Sequence, residues 1–257
     1  VLREIGYQVG TGVMIGLPIC EDIWHPDVCR HLADFGAELL ICINGSPYEI
    51  DKDTLRIDGV AKRRAVDTGL PLAYLNRVGG QDELVFDGAS FVVNGDGSLA
   101  VQMGDWEEQE VTTRWTRTAT GWRCDRGAIA ALADHPEDIY CAMVMALRDY
   151  VDRNRFPGVV LGMSGGIDSA ICAAIAADAL GPDRVWPIML PSRFTSQESL
   201  DDAAECARML GCKHDVIPIQ PAVAGFDEML AGSFADKAVD ITEENLQSRI
   251  RGVTLMA

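Results

Sequence analysis

Short apolar runs recur along the chain at residues 13–20, 38–44, 72–76, 84–86, 90–93, 158–161, 184–191 and 214–219, and each predicts a strand. Between them the period changes to that of a helix. Ile139, Met143, Ala146, Leu147, Tyr150 and Val151 recur at helical spacing, predicting an amphipathic helix from Pro136 that ends near Phe156-Pro-Gly158. A helix over 170–180 is opened by Asp168-Ser169. Leu200, Ala203, Ala204, Ala207 and Leu210 form the apolar face of another, opened by the capping box Thr195-Ser-Gln-Glu198 and stopped at Gly211. Residues 55–68 predict a basic helix, residues 242–252 a capped and charged one, and Asn94-Gly-Asp-Gly97 a hairpin turn.

The order of these elements separates two halves. After residue 136, strand and helix alternate, which predicts a doubly wound parallel sheet with ligands beyond the strand carboxyl ends. Before it, strands, one helix and a hairpin follow one another. Residues 107–126 show no sustained period and are dense in Thr, Arg and Trp, so the junction is expected there. With 257 residues and a prior of about 150 per domain, two domains are expected. They are placed at 1–115 and 136–257, with 116–135 as the join.

Charge and composition narrow the partners. Twenty-two Lys+Arg against 39 Asp+Glu give −17, and with no basic stripe to meet phosphates a nucleic-acid partner is excluded. No apolar run approaches the roughly 20 residues of a membrane span and no signal peptide is visible, so a membrane role is excluded and a cytoplasmic location expected. The eight cysteines are scattered without CxxC spacing, which predicts reduced thiols, mostly in the core. The chain begins at Val1 and stops at Ala257 inside a helical pattern without a C-cap signal, and is expected to be an internal fragment.

The strongest chemical signal is Gly162-Met-Ser-Gly-Gly-Ile-Asp-Ser169. A buried strand runs into it and a helix leaves it, so Gly162, Met163, Ser164, Gly165, Gly166, Ile167, Asp168 and Ser169 form a turn whose N–H groups and hydroxyls face an anion at a helix N-terminus. No Walker lysine is present, which disfavours kinase or GTPase chemistry. Ser164-Gly-Gly-Ile-Asp-Ser169 resembles the PP-loop of the N-type ATP pyrophosphatases, which split ATP between the α and β phosphates to adenylate a substrate. That resemblance implies ATP as a substrate at these eight residues and Mg²⁺ beside the leaving pyrophosphate, with Asp168 as its protein partner.

In the first half, Ile19-Cys-Glu-Asp-Ile-Trp24 puts a thiol at a strand end, where a nucleophile is exposed and following N–H groups face a developing oxyanion. The alternative is a core cysteine, since free Cys is among the most buried residue types. Together with Asn44-Gly-Ser-Pro47 and Phe86-Asp-Gly-Ala-Ser90, this stretch resembles the C-terminal half of the nitrilase-type glutaminase domain, an αββα sandwich. Cys20 then matches the nucleophile that converts the glutamine side-chain amide to a thioester and ammonia, and Ser46 and Lys52 match the residues that hold glutamine. The family's Glu base and Lys fall earlier than any residue of this chain.

Thr242-Glu-Glu-Asn-Leu-Gln-Ser-Arg-Ile-Arg-Gly252 reads alone either as a solvated helix face or as a site. Beside the other two motifs it resembles the signature of the glutamine-dependent NAD synthetase family, in which the position of Asn245 contacts deamido-NAD. Membership implies a truncated α/β chain, half a nitrilase-like sandwich followed by a doubly wound PP-loop domain of the adenine nucleotide α-hydrolase type. It also implies ATP, glutamine and deamido-NAD as substrates and a homo-oligomeric enzyme. Three alternatives stand beside it: another adenylating PP-loop amidotransferase, an inert binding fragment of the same fold, and a simple nitrilase-like amidase, which leaves half the chain unexplained.

Overall fold

The computed structural model describes residues 6–9, 12–235 and 241–257, and the chain divides into two compact units, 1–149 and 150–257. The first unit runs through β1 (Gly6–Val9), β2 (Val13–Gly16), α1 (Pro26–Asp34), β3 (Leu39–Asn44), α2 (Lys52–Thr54), a π-helical stretch at Leu55–Ala61 and α3 (Lys62–Thr68). It continues through β4 (Leu72–Asn76), β5 (Val78–Gln81), β6 (Leu84–Asp87), β7 (Phe91–Val93), β8 (Leu99–Gln102), β9 (Trp115–Thr118), β10 (Gly121–Cys124) and most of α4 (Glu137–Arg153).

Six of these strands form one sheet in the order β1-β2-β3-β4-β7-β8. The three central strands are parallel and the outer pairings antiparallel. Parallel neighbours need a crossover, and the two crossovers here carry α1 and the helical stretch 52–68. Their apolar sides cover one face of the sheet, burying Ile23, Leu32 and Ala65 against Leu40, Leu72 and Tyr74. Burial of this kind stabilises by about 25 cal/mol per Å² of apolar surface removed from water.

Three sequence expectations are revised here. The strand expected over 13–20 stops at Gly16, and Cys20–Ile23 turn into a 3-10 helix. The helix expected over 55–68 starts at Lys52 and widens to π geometry over Leu55–Ala61, which carries Arg56 to the inside. Residues 115–124, read as aperiodic, pair as the hairpin of β9 and β10. Within the hairpin Cys124 alone is buried, so no alternating apolar face is written into the sequence there.

The second unit contains β11 (Val159–Met163), α5 (Ile167–Leu180), β12 (Val185–Met189), α6 (Gln197–Met209), β13 (Asp215–Val216), α7 (Gln220–Phe234) and α8 (Ile241–Met256). Its strands are parallel in the order β11-β12-β13, with Val159 opposite Val185 and Met163 opposite Met189. Helices cover both faces. On one side α5 and α6 pack Ala173 and Ala203 against Met163 and Met189; on the other α7 and α8 pack Val223 and Ile250 against Ile188 and Leu190. This is the doubly wound arrangement read from the sequence.

The third strand is shorter than expected. Beyond Val216 it is joined to β12 by single bonds, Ile217 N–H donating to the Met189 carbonyl and Ile219 N–H to the Pro191 carbonyl. The cap of α6 also shifts by one residue: Ser196 is the N-cap, its hydroxyl accepting from Ser199 N–H, while Thr195 accepts from Ser192 N–H at 3.0 Å. No helix among the described residues is long and apolar enough to cross a membrane.

Candidate functional site

In the second unit, β11 delivers Met163 and the chain turns through Ser164, Gly165 and Gly166 into α5, with Gly166 as an extended N-cap. Gly165 is left-handed, φ +81°, and a Cβ there would lie 2.3 Å from the Ser199 carbonyl oxygen of α6. Glycine at this position is required by the neighbouring helix as much as by an incoming ligand. The turn is also tied to itself. Gly166 N–H donates to Ser164 Oγ at 3.2 Å, Ser164 N–H donates to Ser169 Oγ at 3.2 Å, and the Ser169 hydroxyl donates to the Gly166 carbonyl at 2.9 Å. Ser164, Gly166, Ile167 and Asp168 are exposed around the positive end of α5.

A cavity of about 540 Å³ opens beyond the carboxyl ends of β11 and β12. Gly162, Met163 and Ser164 line it from the turn, Leu190 and Pro191 from the end of β12, and Ser248, Arg251 and Gly252 from α8. Arg251 is braced by its Nε donating to the Leu190 carbonyl at 3.2 Å. The remaining turn residues, Gly165 to Ser169, are outside the lining, and Asn245 sits one turn earlier on α8, exposed and also outside it. A strand-end cavity bordered by the Ser164 end of the turn and by a guanidinium suits an anionic nucleotide.

In the first unit, Cys20 opens the 3-10 turn Cys20–Ile23 with a left-handed backbone, φ +50°, and a half-buried side chain. The strained elbow is held by Asp22, whose carboxylate accepts from Ile19 N–H at 2.8 Å and whose own N–H closes onto the Ile19 carbonyl at 3.1 Å. One N–H expected to face an oxyanion, that of Asp22, is therefore committed to the turn. Ile19 bridges Ile43, which brings Cys20 alongside the end of β3. All eight cysteines are free thiols. Burial separates them: it pushes Cys29 up to about 11 and Cys42 up to about 12, the latter eased by a hydrogen bond to Asn44.

β3 ends at Asn44 and leads into the turn carrying Ser46 and Lys52. Ser46 is buried, and Lys52 is half-buried and pairs with Glu49. Tyr74 is buried beneath this turn, and burial pushes its phenol up to about 12, partly offset by the Arg56 charge. Because Ile19 bridges Ile43 and Ser46 follows the end of β3 at Asn44, Cys20 and Ser46 both lie at the carboxyl end of that strand.

Residues that sequence reasoning missed surround Ser46. Arg56, 2% exposed, reaches it from the π-helical stretch, and Asp87, 5% exposed, reaches Arg56 from β6. An arginine in a basic helix reads as a solvated charge, so the only signal was the Phe86-Asp-Gly-Ala-Ser90 motif that supplies its partner. Among the described residues no group of three His, Cys, Asp or Glu side chains has the arrangement of a metal site.

Residues 3–122 match the carbon-nitrogen hydrolase family and residues 139–257 the NAD synthase family. Both halves together match glutamine-dependent NAD(+) synthetases. The protein of Rhodobacter capsulatus is 54% identical over 245 residues, covering 95% of this chain and 44% of that protein. The chain belongs to the glutamine-dependent NAD synthetase family. It is also similar to the Thermotoga maritima member, 38% identical over 279 residues, covering 95% of this chain and 48% of that protein. The solved structure of the Acinetobacter baumannii enzyme in complex with adenosine diphosphate superposes with a TM-score of 0.91 at 39% identity, over 99% of this chain and 48% of that one. The chain therefore spans about half the length of the synthetases it matches. Cys20, Ser46 and Lys52 lie in its carbon-nitrogen hydrolase segment, and the Ser164–Ser169 turn and Asn245 in its NAD synthase segment.

Proposed function

We propose that the complete protein amidates deamido-NAD to NAD with ATP, using ammonia released from glutamine. The observation that carries this reading is the pairing, in one chain, of a hydrolase segment with its thiol at a strained strand-end elbow and a synthase segment whose Ser-Gly-Gly turn borders a 540 Å³ cavity. In this division residues 1–115 hold glutamine, 116–135 join, and 136–257 hold ATP and deamido-NAD. A cytoplasmic homo-oligomer belongs to the same reading.

The chemistry follows from the substrate. A carboxylate resists ammonia because its carbon already carries negative oxygens, so it must first be made an anhydride. The deamido-NAD carboxylate attacks the α-phosphorus of ATP, the bond to the β-phosphate oxygen breaks, and pyrophosphate leaves. Gly162 to Ser169 hold the phosphates, with their N–H groups and the α5 N-terminus offsetting the developing charge. The residues fit Mg²⁺ on the donor set: this cation prefers phosphate oxygens and water with one or two carboxylates, and Asp168 presents an exposed carboxylate at the turn. Bound there, Mg²⁺ would neutralise charge on the phosphates. Asn245 orients deamido-NAD.

At the other site the Cys20 thiolate attacks the glutamine amide carbon, the C–N bond breaks, and ammonia leaves behind a thioester that water hydrolyses to glutamate. Ser46 and Lys52 hold the amino acid. Ammonia then attacks the adenylate carbonyl and expels AMP. Cys20→Ala in the complete protein is expected to abolish glutamine-supported synthesis and leave ammonia-supported synthesis intact. Equal loss of both would sink the assignment.

A further inference from the structure

We infer that Arg56 is a positioning residue for glutamine, fixing the Ser46 turn through a buried clamp built from Arg56, Asn76 and Asp87. The inference rests on the reading that Ser46 holds glutamine, and extends it to a residue that does not itself touch the substrate.

Ser46 is gripped at its N–H, its carbonyl and its Oγ, the last only as an acceptor, so the clamp does not use its hydroxyl proton. Arg56 Nε donates to Ser46 Oγ at 3.1 Å, and its Nη2 donates to the Ser46 and Pro47 carbonyls, both at 2.9 Å. Asn76 completes the grip: Ser46 N–H donates to Asn76 Oδ1 at 3.0 Å, and Asn76 Nδ2 donates back to the Ser46 carbonyl at 3.3 Å. The guanidinium is aimed by Asp87, whose Oδ2 accepts from Nη1 at 2.6 Å while its Oδ1 accepts from Asn76 Nδ2 at 3.4 Å. Ser90 fixes Asn76 in turn, accepting from its N–H at 2.9 Å. The Phe86-Asp-Gly-Ala-Ser90 motif thereby gains a role, since its Asp and Ser are the far side of the clamp.

Burial decides how much this matters. Ser46, Arg56, Asp87 and Ser90 are all at most 8% exposed, so the charges are not screened by water and the network has one satisfied arrangement. Such an ion pair adds little net stability over an apolar replacement of the same shape, and its contribution lies in geometry. Four donations in fixed directions require the planar guanidinium fork. A lysine keeps the charge facing Asp87 but cannot serve Ser46 Oγ and two carbonyls together. Loosening the turn should weaken glutamine binding without touching the thiol or the ATP chemistry.

The test is Arg56→Lys in the complete protein, with kcat and KM measured for glutamine and, separately, for ammonia. The expected result is a glutamine KM raised roughly ten-fold, the order of losing one charge-assisted hydrogen bond, with kcat at saturating glutamine and both ammonia parameters within about two-fold of wild type. A purely structural arginine would lower glutamine- and ammonia-supported rates together at unchanged KM, and that result overturns the inference. Should Arg56→Lys fail to fold, Asp87→Asn keeps the shape and removes the aiming charge; it should raise the glutamine KM alone, by a smaller factor, and an unchanged KM there also overturns it. Cys20→Ala, run in parallel, separates the failures. If it retains glutamine-supported synthesis, the underlying reading falls and takes the inference with it. If it behaves as proposed while Arg56→Lys and Asp87→Asn leave the glutamine KM unmoved, the inference alone falls.

Discussion

At Gly165 two constraints meet: a left-handed backbone, φ +81°, and an α6 carbonyl 2.3 Å from where a Cβ would sit. Gly165→Ala adds a left-handed penalty to an overpacked contact with a rigid backbone atom, for an expected loss of roughly 2–5 kcal/mol. Denaturant unfolding followed by a probe in the second unit checks this, and a loss below about 1 kcal/mol would mean that α6 yields instead. The glycine itself was legible in the sequence, and its packing reason was not, because the residue that presses on it lies in the next helix but one strand. Cys20 shows the same limit. Composition could not separate it from seven other cysteines, whereas burial sets Cys29 and Cys42 apart as core thiols. Arg56 was hidden for a stronger reason, since only tertiary structure turns a residue of a basic helix inward onto a carboxylate from β6.

Among the elements, α4 is the one whose start is tied most firmly to the candidate glutamine turn. Asp138 in its first turn accepts from the Tyr48 hydroxyl at 2.5 Å and pairs with His135 at 2.7 Å, and His135 also reaches Asp51 at 3.3 Å. Burial works against ionisation of Asp138, but its bonds from Tyr48, His135 and Ile139 N–H win and hold it below the usual range. Tyr48 is pushed well above its ordinary value by burial and by Asp138. Hydrogen bonds to Asp138 and Asp51 raise His135 above its ordinary value near 6.5. A raised folded-state value means that the stabilisation is complete below pH 6.5 and is lost as pH rises through the folded value. His135→Gln should remove that part of the pH dependence of the denaturation midpoint, and an imidazole NMR titration of the wild-type protein should give a midpoint above 6.5. A midpoint at or below that of free histidine would contradict the network. Other elements differ in how visible they were. β11 and α5 are marked by the glycine turn between them, and α6 by its helical period and its cap. α1, in which Val28, Cys29 and Leu32 meet the core, spans only nine residues, and α7 buries Val223 alone, so the first is too short and the second too thinly striped to be read.

For the whole molecule, the second unit was legible from element order, because strand–helix alternation leaves few ways to build it, whereas the sandwich of the first unit came from the resemblance carried by its motifs, one of its two crossover helices having gone unread. What composition and pattern alone could not supply is the substrate, because a phosphate-binding turn serves many carboxylates. The substrate is therefore the central claim to test. Complete protein carrying this sequence is given ATP, Mg²⁺ and ammonia, and AMP and pyrophosphate are followed with and without deamido-NAD. The account predicts that both products appear in equal amounts only when deamido-NAD is present, together with NAD. AMP formed at the same rate without deamido-NAD would contradict the substrate assignment, and no AMP under either condition would contradict the adenylating role of the Ser164–Ser169 turn.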